Sequence, residues 1–320
     1  FYWRIYLCVG LGAAITSALI VGALLLGDSL KHSLQNEALS RLGTISHGLY
    51  TSERTLRSSL SETMGETLGI PLSAALQKEG NAATASGSSF ASPIQLIGID
   101  KAFAMFSPAK ELEEIAPGNV VINDHLRRTL GVNPGEELIV RISPEGEIPG
   151  ASPMARPEAT PKPLRLQIIG VTPAGGLGDF RLHRQAVPPK NAFVNLQWLQ
   201  EQLQLPGRAN LLLAAAPAGS PRPFEALNTA MQSSWGLSDL GLEIINTPRT
   251  DDHQLRSSRI FLERAIVDGL SKTLNEARGA FTWFTFGARA GRLFSPYLFA
   301  AAIPPSEHPH SRTVKPTFSL

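Results

Sequence analysis

The chain has 320 residues, of which 43% are hydrophobic and 18% are charged, and its formal net charge is +2. This composition excludes a disordered polyelectrolyte, which requires low hydrophobicity and high net charge. The near balance of 29 basic and 27 acidic residues argues against a nucleic-acid-binding protein, because such proteins typically carry a strongly basic domain or patch. Cys8 is the only cysteine, so a disulfide bond within the chain is excluded.

The most informative segment is an uncharged apolar run from Ile5 to Gly27. As a helix at about 1.5 Å per residue it would span roughly 34 Å, which exceeds a hydrocarbon core of about 30 Å. A cleaved signal peptide has a shorter apolar core and a small-residue cleavage site, which the sequence after Gly27 lacks. A buried helix of a soluble domain is a third interpretation. We predict a transmembrane helix over residues 1–27, and Arg4 favours a cytoplasmic start.

Residues 28–43 continue the helical pattern, with leucines at roughly helical spacing and polar residues between them. We predict an amphipathic stalk that runs to about Arg41 and stops near Gly43. The candidate site residues are its packing leucines, and two partners are open for them: a second stalk helix, or the chain's own folded domain. These leucines are Leu30, Leu34, Leu39 and Leu42.

Residues 44–277 alternate between short strands and short helices, which predicts one extracytoplasmic α+β core domain of mixed strand order. Residues 278–320 are predicted to be a poorly defined C-terminal segment. No second membrane span is predicted there, because residues 281–302 contain Arg289, Arg292 and Pro296. The predicted strands are 44–50, 94–99, 120–123, 137–142, 164–171, 192–195, 209–215 and 242–247. The predicted helices are 52–68, 124–130, 196–203, 224–234 and 268–277, and the predicted loops are 81–89 and the proline-rich segment 143–163.

Motifs for chemistry are sparse. The sequence Gly27-Asp28-Ser29-Leu30 spells the nucleophile motif of GDSL hydrolases, but the apolar run before it is too long for the strand that the motif requires. The glycines at 175–178 lack the lysine of a P-loop and predict a turn. Asp124 is interpreted as a helix N-cap or a charge favoured by the helix dipole. We therefore predict no enzyme, no catalytic or metal-binding residue, and no cofactor.

Several sequence blocks, in their order along the chain, resemble the extracytoplasmic core domains of FtsX-like and MacB-like ABC transporter permeases. The main block is Val120–Ile142, with Leu130-Gly131-Val132 before a glycine turn at Gly135-Glu136-Glu137. Weaker blocks are Ile97-Gly98-Ile99-Asp100 followed by Phe103, Leu166–Val171 with Thr172-Pro173, and Arg208-Ala209-Asn210-Leu211. Permeases of this family have further membrane helices after this domain, so we expect the chain to be a fragment.

The resemblance implies a permease subunit of a transporter or mechanotransmission complex, lying in the bacterial plasma (inner) membrane with most of the chain extracytoplasmic. It implies a cytoplasmic ABC ATPase as partner, and a homodimer or a pseudo-dimer with a second permease. The lipid bilayer is a further expected partner, and nucleic acid is not. The alternatives are a singly anchored extracytoplasmic binding or scaffold domain, and a membrane-anchored GDSL-type hydrolase.

Overall fold

The computed structural model describes residues 2–52, 54–106, 109–142, 163–182, 187–215, 223–246, 253–257, 264–273, 281–285, 287–295 and 298–302. The chain divides into two compact units, residues 1–256 and 257–320. This division does not test the predicted functional boundaries at residues 27, 43 and 277, which stay predictions.

The first unit begins with a single long helix, α1 (Trp3–Ser40), and none of its residues is buried. At about 1.5 Å per residue, its 38 residues extend roughly 57 Å. The predicted membrane helix and its stalk are therefore one continuous element. No proline interrupts α1, and its glycines meet no neighbouring atoms, so nothing in its sequence forces a kink.

The rest of the first unit contains an eight-stranded mixed sheet, two separate two-stranded sheets, and helices. The strands are β1 (His47–Tyr50), β2 (Leu56–Arg57), β3 (Leu72–Thr84), β4 (Phe90–Ile99), β5 (Asn119–Asn123), β6 (Glu137–Ile142), β7 (Leu164–Thr172), β8 (Asn191–Asn195), β9 (Arg208–Ala209), β10 (Leu211–Ala214), β11 (Leu242–Asn246) and β12 (His253–Ser257). The helices are α2 (Leu60–Leu68), α3 (Asp124–Leu130), α4 (Leu196–Gln202) and α5 (Pro223–Ser234).

The main sheet runs in the order β1-β10-β3-β4-β8-β5-β7-β6, and β6 pairs back onto β3. The six strands β3, β4, β8, β5, β7 and β6 therefore close into a ring. Pairs β4–β8 and β5–β7 are parallel and the others are antiparallel. The predicted α+β class, an N-terminal membrane-type helix followed by a mixed domain, is confirmed.

Ring closure depends on the length of β3. Its first residues pair with β10, and Gly80–Thr84 pair with β6. The strand register shifts between Gly80 and Ala82, as at a β-bulge, which bends a strand. A Cβ atom at Gly80 would lie 2.3 Å from the carbonyl oxygen of Arg141, so only glycine allows this approach of β6.

Two main groups of apolar side chains form the core. The first fills the ring and its contacts with α3 and α4, and includes Leu96, Ile122 and Leu199. The second includes Ile45, Phe103, Phe106, Phe180 and Phe193. The second group is where the domain meets the segment that comes after α1.

Capping residues set the ends of the short helix α3. Asn123 is the N-cap of α3, because its Oδ1 accepts a hydrogen bond from the Leu126 amide at 3.0 Å. Gly131 ends α3 with φ +68°, which favours glycine. Of the two roles predicted for Asp124, the N-cap is wrong, because Asn123 is the cap, and the acidic charge in the first turn of the helix is confirmed. The Asp124 carboxylate also forms ion pairs with Arg127 and Arg128.

Several predicted boundaries need correction. The predicted helix 52–68 begins only at Leu60, because residues 56–57 pair as β2 with β9. The predicted loop 81–89 lies partly in β3, a strand that the sequence pattern missed. The single strand predicted over 209–215 is two strands, β9 and β10, which lie in different sheets. The other strands and helices predicted up to residue 247 are present, with boundaries shifted by a few residues. Residues 143–162 of the proline-rich segment lie outside the described residues.

The second unit contains α6 (Arg264–Thr273), β13 (Phe281–Thr285), β14 (Ala288–Ala290), β15 (Leu293–Ser295) and β16 (Leu298–Ala302). Strand β13 pairs with β16, and β14 pairs with β15, both antiparallel. The predicted helix 268–277 overlaps α6, and its last residues lie outside the described part of the chain, as do residues 303–320. Most of the described residues between 281 and 302 lie in strands, in agreement with the prediction that this range is not a membrane helix.

Candidate functional site

Helix α1 is the one helix in the described part of the chain that is long and apolar enough to cross a membrane. If the apolar run 5–27 spans the hydrocarbon core, residues 28–40 extend about 20 Å beyond it. The candidate site is the end of this extension, where α1 joins the folded domain.

The predicted packing leucines separate into two groups. Leu30, Leu34 and Leu39 are 59%, 49% and 63% exposed, so they do not pack on the domain's own core. Leu42 is partly buried and packs against the second core group. The domain is therefore the partner of Leu42, and packing of the other three against a second stalk helix stays a prediction.

The turn after α1 is fixed to the domain by several contacts. Gly43 has φ +58°, and a Cβ atom there would lie 2.3 Å from the carbonyl oxygen of Phe106. The Thr44 amide and hydroxyl both donate to that same oxygen, at 3.1 and 3.3 Å. Ile45 is buried in the second core group, and the Ser46 amide donates to Ala214 of β10 at 3.0 Å.

Arg41 strengthens the last turn of α1. Its guanidinium is 2.7 Å from the carboxylate of Glu37, one helical turn earlier, and the Arg41 side chain is only 7% exposed. A basic residue at the C-terminal end of a helix also interacts favourably with the helix dipole. The helix thus keeps its geometry up to the point where Leu42 and Gly43 contact the domain. We call residues 41–46 the junction.

The junction contacts a 3-10 helix, Phe103–Phe106, that the core holds in place. The ring of Phe103 lies 5.7 Å from that of Phe180 and 6.0 Å from that of Phe193. Edge-to-face and tilted contacts of this kind stabilise aromatic pairs beyond their buried area. A displacement of the junction would therefore meet a packed aromatic group rather than a loose loop.

Asp100 anchors the start of this 3-10 helix. Its carboxylate accepts hydrogen bonds from the Ser73 hydroxyl at 2.6 Å, the Ala74 amide at 3.0 Å and the Phe103 amide at 2.9 Å. Burial raises the pKa of Asp100 above its usual range, because it disfavours the charged form more than these hydrogen bonds favour it. Asp100 thus ties the 3-10 helix to the beginning of β3.

A second buried carboxylate is that of Asp239, in the 3-10 helix Leu237–Leu240 that comes before β11. Its side chain is fully buried and forms a forked ion pair with Arg57 of β2, the shortest N–O distance being 2.7 Å. Burial alone would raise the pKa of Asp239, but the hydrogen bonds from Arg57 and Gly236 and the charge of Arg57 lower it overall. The same pair raises the pKa of Arg57.

The structure gives little support to a catalytic site at the GDSL motif. Ser29 lies within α1, whereas the motif's nucleophile ends a strand. Among the described residues there is no group of three or more His, Cys, Asp or Glu that could hold a metal ion. The absence of enzymatic activity stays a prediction.

The sequence located the stalk but not its contacts. Gly43 was predicted as a stop, which its left-handed backbone confirms. The acceptor at the junction is a backbone oxygen of Phe106, which leaves no mark on side-chain patterns. Asp100 and Phe103 were part of a sequence block, but their role as an anchor depends on Ser73 and Ala74, which are distant in sequence.

No protein-family model matches the sequence, and no curated protein matches it. Among solved structures, the chain is similar to the extracellular domain of the noncanonic ABC-type transporter YknZ from Gram-positive bacteria. The identity is 12% over 66% of this chain and 98% of that chain, with a TM-score of 0.37. It is also similar to the periplasmic region of MacB from Actinobacillus actinomycetemcomitans, with 11% identity over 76% of this chain and 99% of that chain and a TM-score of 0.40.

Both structures are extracytoplasmic domains of the class of transporter that the sequence blocks resemble. At 11% and 12% identity these similarities concern the fold alone.

Proposed function

We propose that this chain is a membrane-spanning permease subunit of an ABC-type transporter or of a mechanotransmission complex. A partner ATPase would drive motion that α1 carries from the membrane to the extracytoplasmic domain. The observation that carries this proposal is the continuity of α1 from an apolar membrane segment into a hydrogen-bonded junction with the domain core.

Transmission of motion requires that no flexible linker lies between the membrane and the domain. Ser40 ends α1, and the Thr44 amide is already bonded to the domain. A helix behaves as a rigid element over this length, whereas a Gly/Ser-rich linker would absorb the motion. This arrangement favours a transmitting role over a simple tether, for which a flexible connection suffices.

Two protein partners are proposed for the chain. The first is a cytoplasmic ABC ATPase, which the resemblance of the sequence blocks to ABC transporter permeases implies. Leu30, Leu34 and Leu39 are exposed on the stalk, and a second permease helix packing there would remove them from water. The chain would lie in the bacterial plasma membrane as one half of a dimer, with the domain on the extracytoplasmic side.

Membrane insertion is tested with two matched double variants of the full chain. Ile15→Lys with Leu19→Lys places two charges in the apolar run, and Leu30→Lys with Leu34→Lys places them at the same spacing in the stalk. A lysine at the centre of a membrane helix costs about 2.5–3.5 kcal/mol, so only the first variant should wash off vesicles in alkaline carbonate. Release of the wild-type protein by carbonate would exclude the proposal.

Coupling is tested by insertions of about two helical turns between Ser40 and Arg41. One insertion is Ala/Glu/Lys-rich and helical, and the other is Gly/Ser-rich and flexible. In a Cys8→Ser background, spin labels at Glu136→Cys of two copies report the distance between domains, with the partner ATPase present. An ATP-dependent distance change is expected in the wild type and the helical insertion, and its loss in the flexible one.

If ATP produces no distance change in any of these proteins, the transmitting role is excluded. Retention in carbonate together with that result would favour the singly anchored binding or scaffold domain.

A further inference from the structure

The most exposed large apolar side chain that is described outside α1 lies in the second unit, on the hairpin formed by β14 and β15. This residue, Leu293, is 78% exposed, and its neighbour Phe294 is 60% exposed. Arg289 and Arg292 of the same hairpin are exposed as well. We call Arg289, Arg292, Leu293 and Phe294 the hairpin tip.

The backbone of the hairpin presents this tip on both faces. Arg289 pairs with Phe294, and the residues next to them also pair, so the two-residue turn Gly291-Arg292 joins the strands. Gly291 has φ +61°, which favours glycine in such a turn. Successive residues of a strand point to opposite faces, so Leu293 and Phe294 lie on opposite faces of the hairpin. Since both are exposed, the described part of the chain covers neither face of the tip.

The sequence around the hairpin tip is positively charged. Residues 277–306 contain three arginines and no aspartate or glutamate, although the chain as a whole is close to neutral. Among the described residues, neither Arg289 nor Arg292 forms an ion pair. A guanidinium group binds phosphate oxygens through charge-assisted, often paired hydrogen bonds. The tip therefore offers two unpaired cations to a surface that carries phosphates.

Aromatic residues are concentrated in the same segment of the sequence. Seven of the 22 residues in 281–302 are aromatic, against 7% of the whole chain. Amphipathic helices that lie in a membrane surface combine lysine or arginine with tryptophan, phenylalanine or leucine, which enter the boundary between headgroups and acyl chains. The hairpin tip brings the same types of side chain together on a β-hairpin.

The shape of the hairpin tip favours a lipid surface over a protein as its partner. A stable protein interface buries about 800 Å² on each partner. Strands β14 and β15 have three residues each, so their tip is small and convex. A fluid bilayer can close around both faces of such a tip. In addition, anchoring by α1 would hold a bilayer close to the chain and so raise its effective concentration.

We infer that the hairpin tip binds the surface of an anionic lipid bilayer, where Leu293 and Phe294 enter the headgroup boundary and Arg289 and Arg292 contact lipid phosphates. This contact is separate from the membrane crossing by α1. The inference rests on the membrane anchoring proposed above, but on neither the partner ATPase nor the transmission of motion. Carbonate extraction tests α1 alone, so failure of the anchoring and failure of the tip can be distinguished.

The test follows the hairpin in the full chain with a fluorescent label. In a Cys8→Ser background, Ser295→Cys at the end of β15 carries a nitrobenzoxadiazole group. The protein is held in nanodiscs, and vesicles are added. Both contain phosphatidylcholine, phosphatidylglycerol and a small share of a lipid with a nitroxide on its headgroup. Contact with either bilayer quenches the label, and the quenched fraction gives the ratio of bound to free tips.

Two double variants separate the apolar and the charged parts of the contact. Leu293→Ser with Phe294→Ser removes the apolar part, and Arg289→Gln with Arg292→Gln removes the charges. Each should lower the ratio of bound to free tips about tenfold or more, since each removes two contributing side chains. Replacing phosphatidylglycerol by phosphatidylcholine should lower the ratio of the unsubstituted tip by a similar factor.

The matched control is Phe90→Ser with Val187→Ser, which removes two side chains of the first unit that are 61% and 64% exposed. It should leave the ratio within about twofold, because surface substitutions away from a contact have small effects. Leu293→Ile with Phe294→Leu keeps the tip apolar and should retain the quenching. This variant separates a lipid contact from an effect of substitution on the hairpin itself.

Absence of quenching with the unsubstituted tip would overturn the inference and would favour a protein partner for the exposed leucine and phenylalanine. Equal losses in the serine variant of the tip and in the matched control would also overturn it. Equal quenching in bilayers without phosphatidylglycerol would exclude anionic lipid as the ligand.

Discussion

Gly43 combines a left-handed backbone with a close approach to Phe106. A residue with a side chain costs about 1–2 kcal/mol in this conformation, and its Cβ atom would also collide with the Phe106 oxygen. We expect Gly43→Ala to lower the free energy of unfolding by about 2–4 kcal/mol. The measurement is denaturant unfolding of the full chain in detergent.

The control for this prediction is Gly87→Ala, in the loop between β3 and β4. Gly87 also has positive φ, +71°, but a Cβ atom there meets nothing within 4 Å. Only the backbone cost of about 1 kcal/mol should appear. Equal effects of the two substitutions would show that the contact with Phe106 does not constrain the junction.

Asp239 predicts a dependence of stability on pH. Its folded-state pKa lies below its unfolded value, so its stabilising contribution is present above the unfolded value of about 3.9 and is lost as the pH falls through the folded one. Asp239→Asn should therefore cost about 1.5–3 kcal/mol at pH 7, and the difference from wild type should shrink below about pH 4.

The matched control for Asp239 is Glu137→Gln. Glu137 faces Arg165 at 3.7 Å, and their side chains are 43% and 71% exposed. An exposed pair of this kind contributes about 0–1 kcal/mol, so the variant should unfold close to wild type at every pH. A difference between Asp239→Asn and wild type that stays constant down to pH 2 would contradict the assignment of the pKa shift.

At the scale of elements, the four leucines of the stalk pattern lie in two different environments. Three are exposed on α1, and Leu42, just after α1, packs on the domain. Leu42→Ala should lower the free energy of unfolding of the domain by about 1–2 kcal/mol, because Leu42 packs on the second core group. Leu34→Ala should change it by less than about 0.5 kcal/mol, because Leu34 is exposed. A large loss from Leu34→Ala in the isolated subunit would mean that the stalk packs on the domain.

Local signals explain which elements were predictable. Helix α3 was predicted residue for residue, because a turn-forming Asn-Asp pair begins it and Gly131 ends it within the same short stretch. The helix predicted from Ser52 was wrong at its start, because Leu56 fits a helical spacing but pairs instead with Ala209 of β9. That pairing partner lies far away in sequence, so no local pattern reveals it.

Strand β3 was missed for a related reason. Strands with one exposed face alternate between apolar and polar residues, and β3 does not, because its first six residues are all buried. Alanine and serine in this stretch carry no strong strand preference either. Its neighbours β10, β4 and β6 supply the hydrogen bonds that make it a strand.

At the scale of the whole molecule, the domain buries no residue of α1, and its contacts with the N-terminal segment begin at the junction. Because α1 has no buried residue, a variant lacking residues 1–40 should fold and melt within about 3 °C of the full chain, which corresponds to roughly 1 kcal/mol. The measurement is thermal unfolding of both proteins in the same mild detergent, followed by circular dichroism. Failure of this variant to fold would show that α1 contributes to the stability of the domain.

The sequence by itself determined the membrane-type helix, its continuation as a stalk and the α+β character of the domain beyond the stalk. These features depend on hydrophobic length, helical spacing and capping residues, all of which act between neighbours in the chain. Only the tertiary structure decided that the β-strands close into a ring, that Leu42 packs on the core while Leu34 does not, and that Gly43 meets the oxygen of Phe106. These depend on backbone groups and side chains from distant segments, whose meeting is set by the packing of the whole domain.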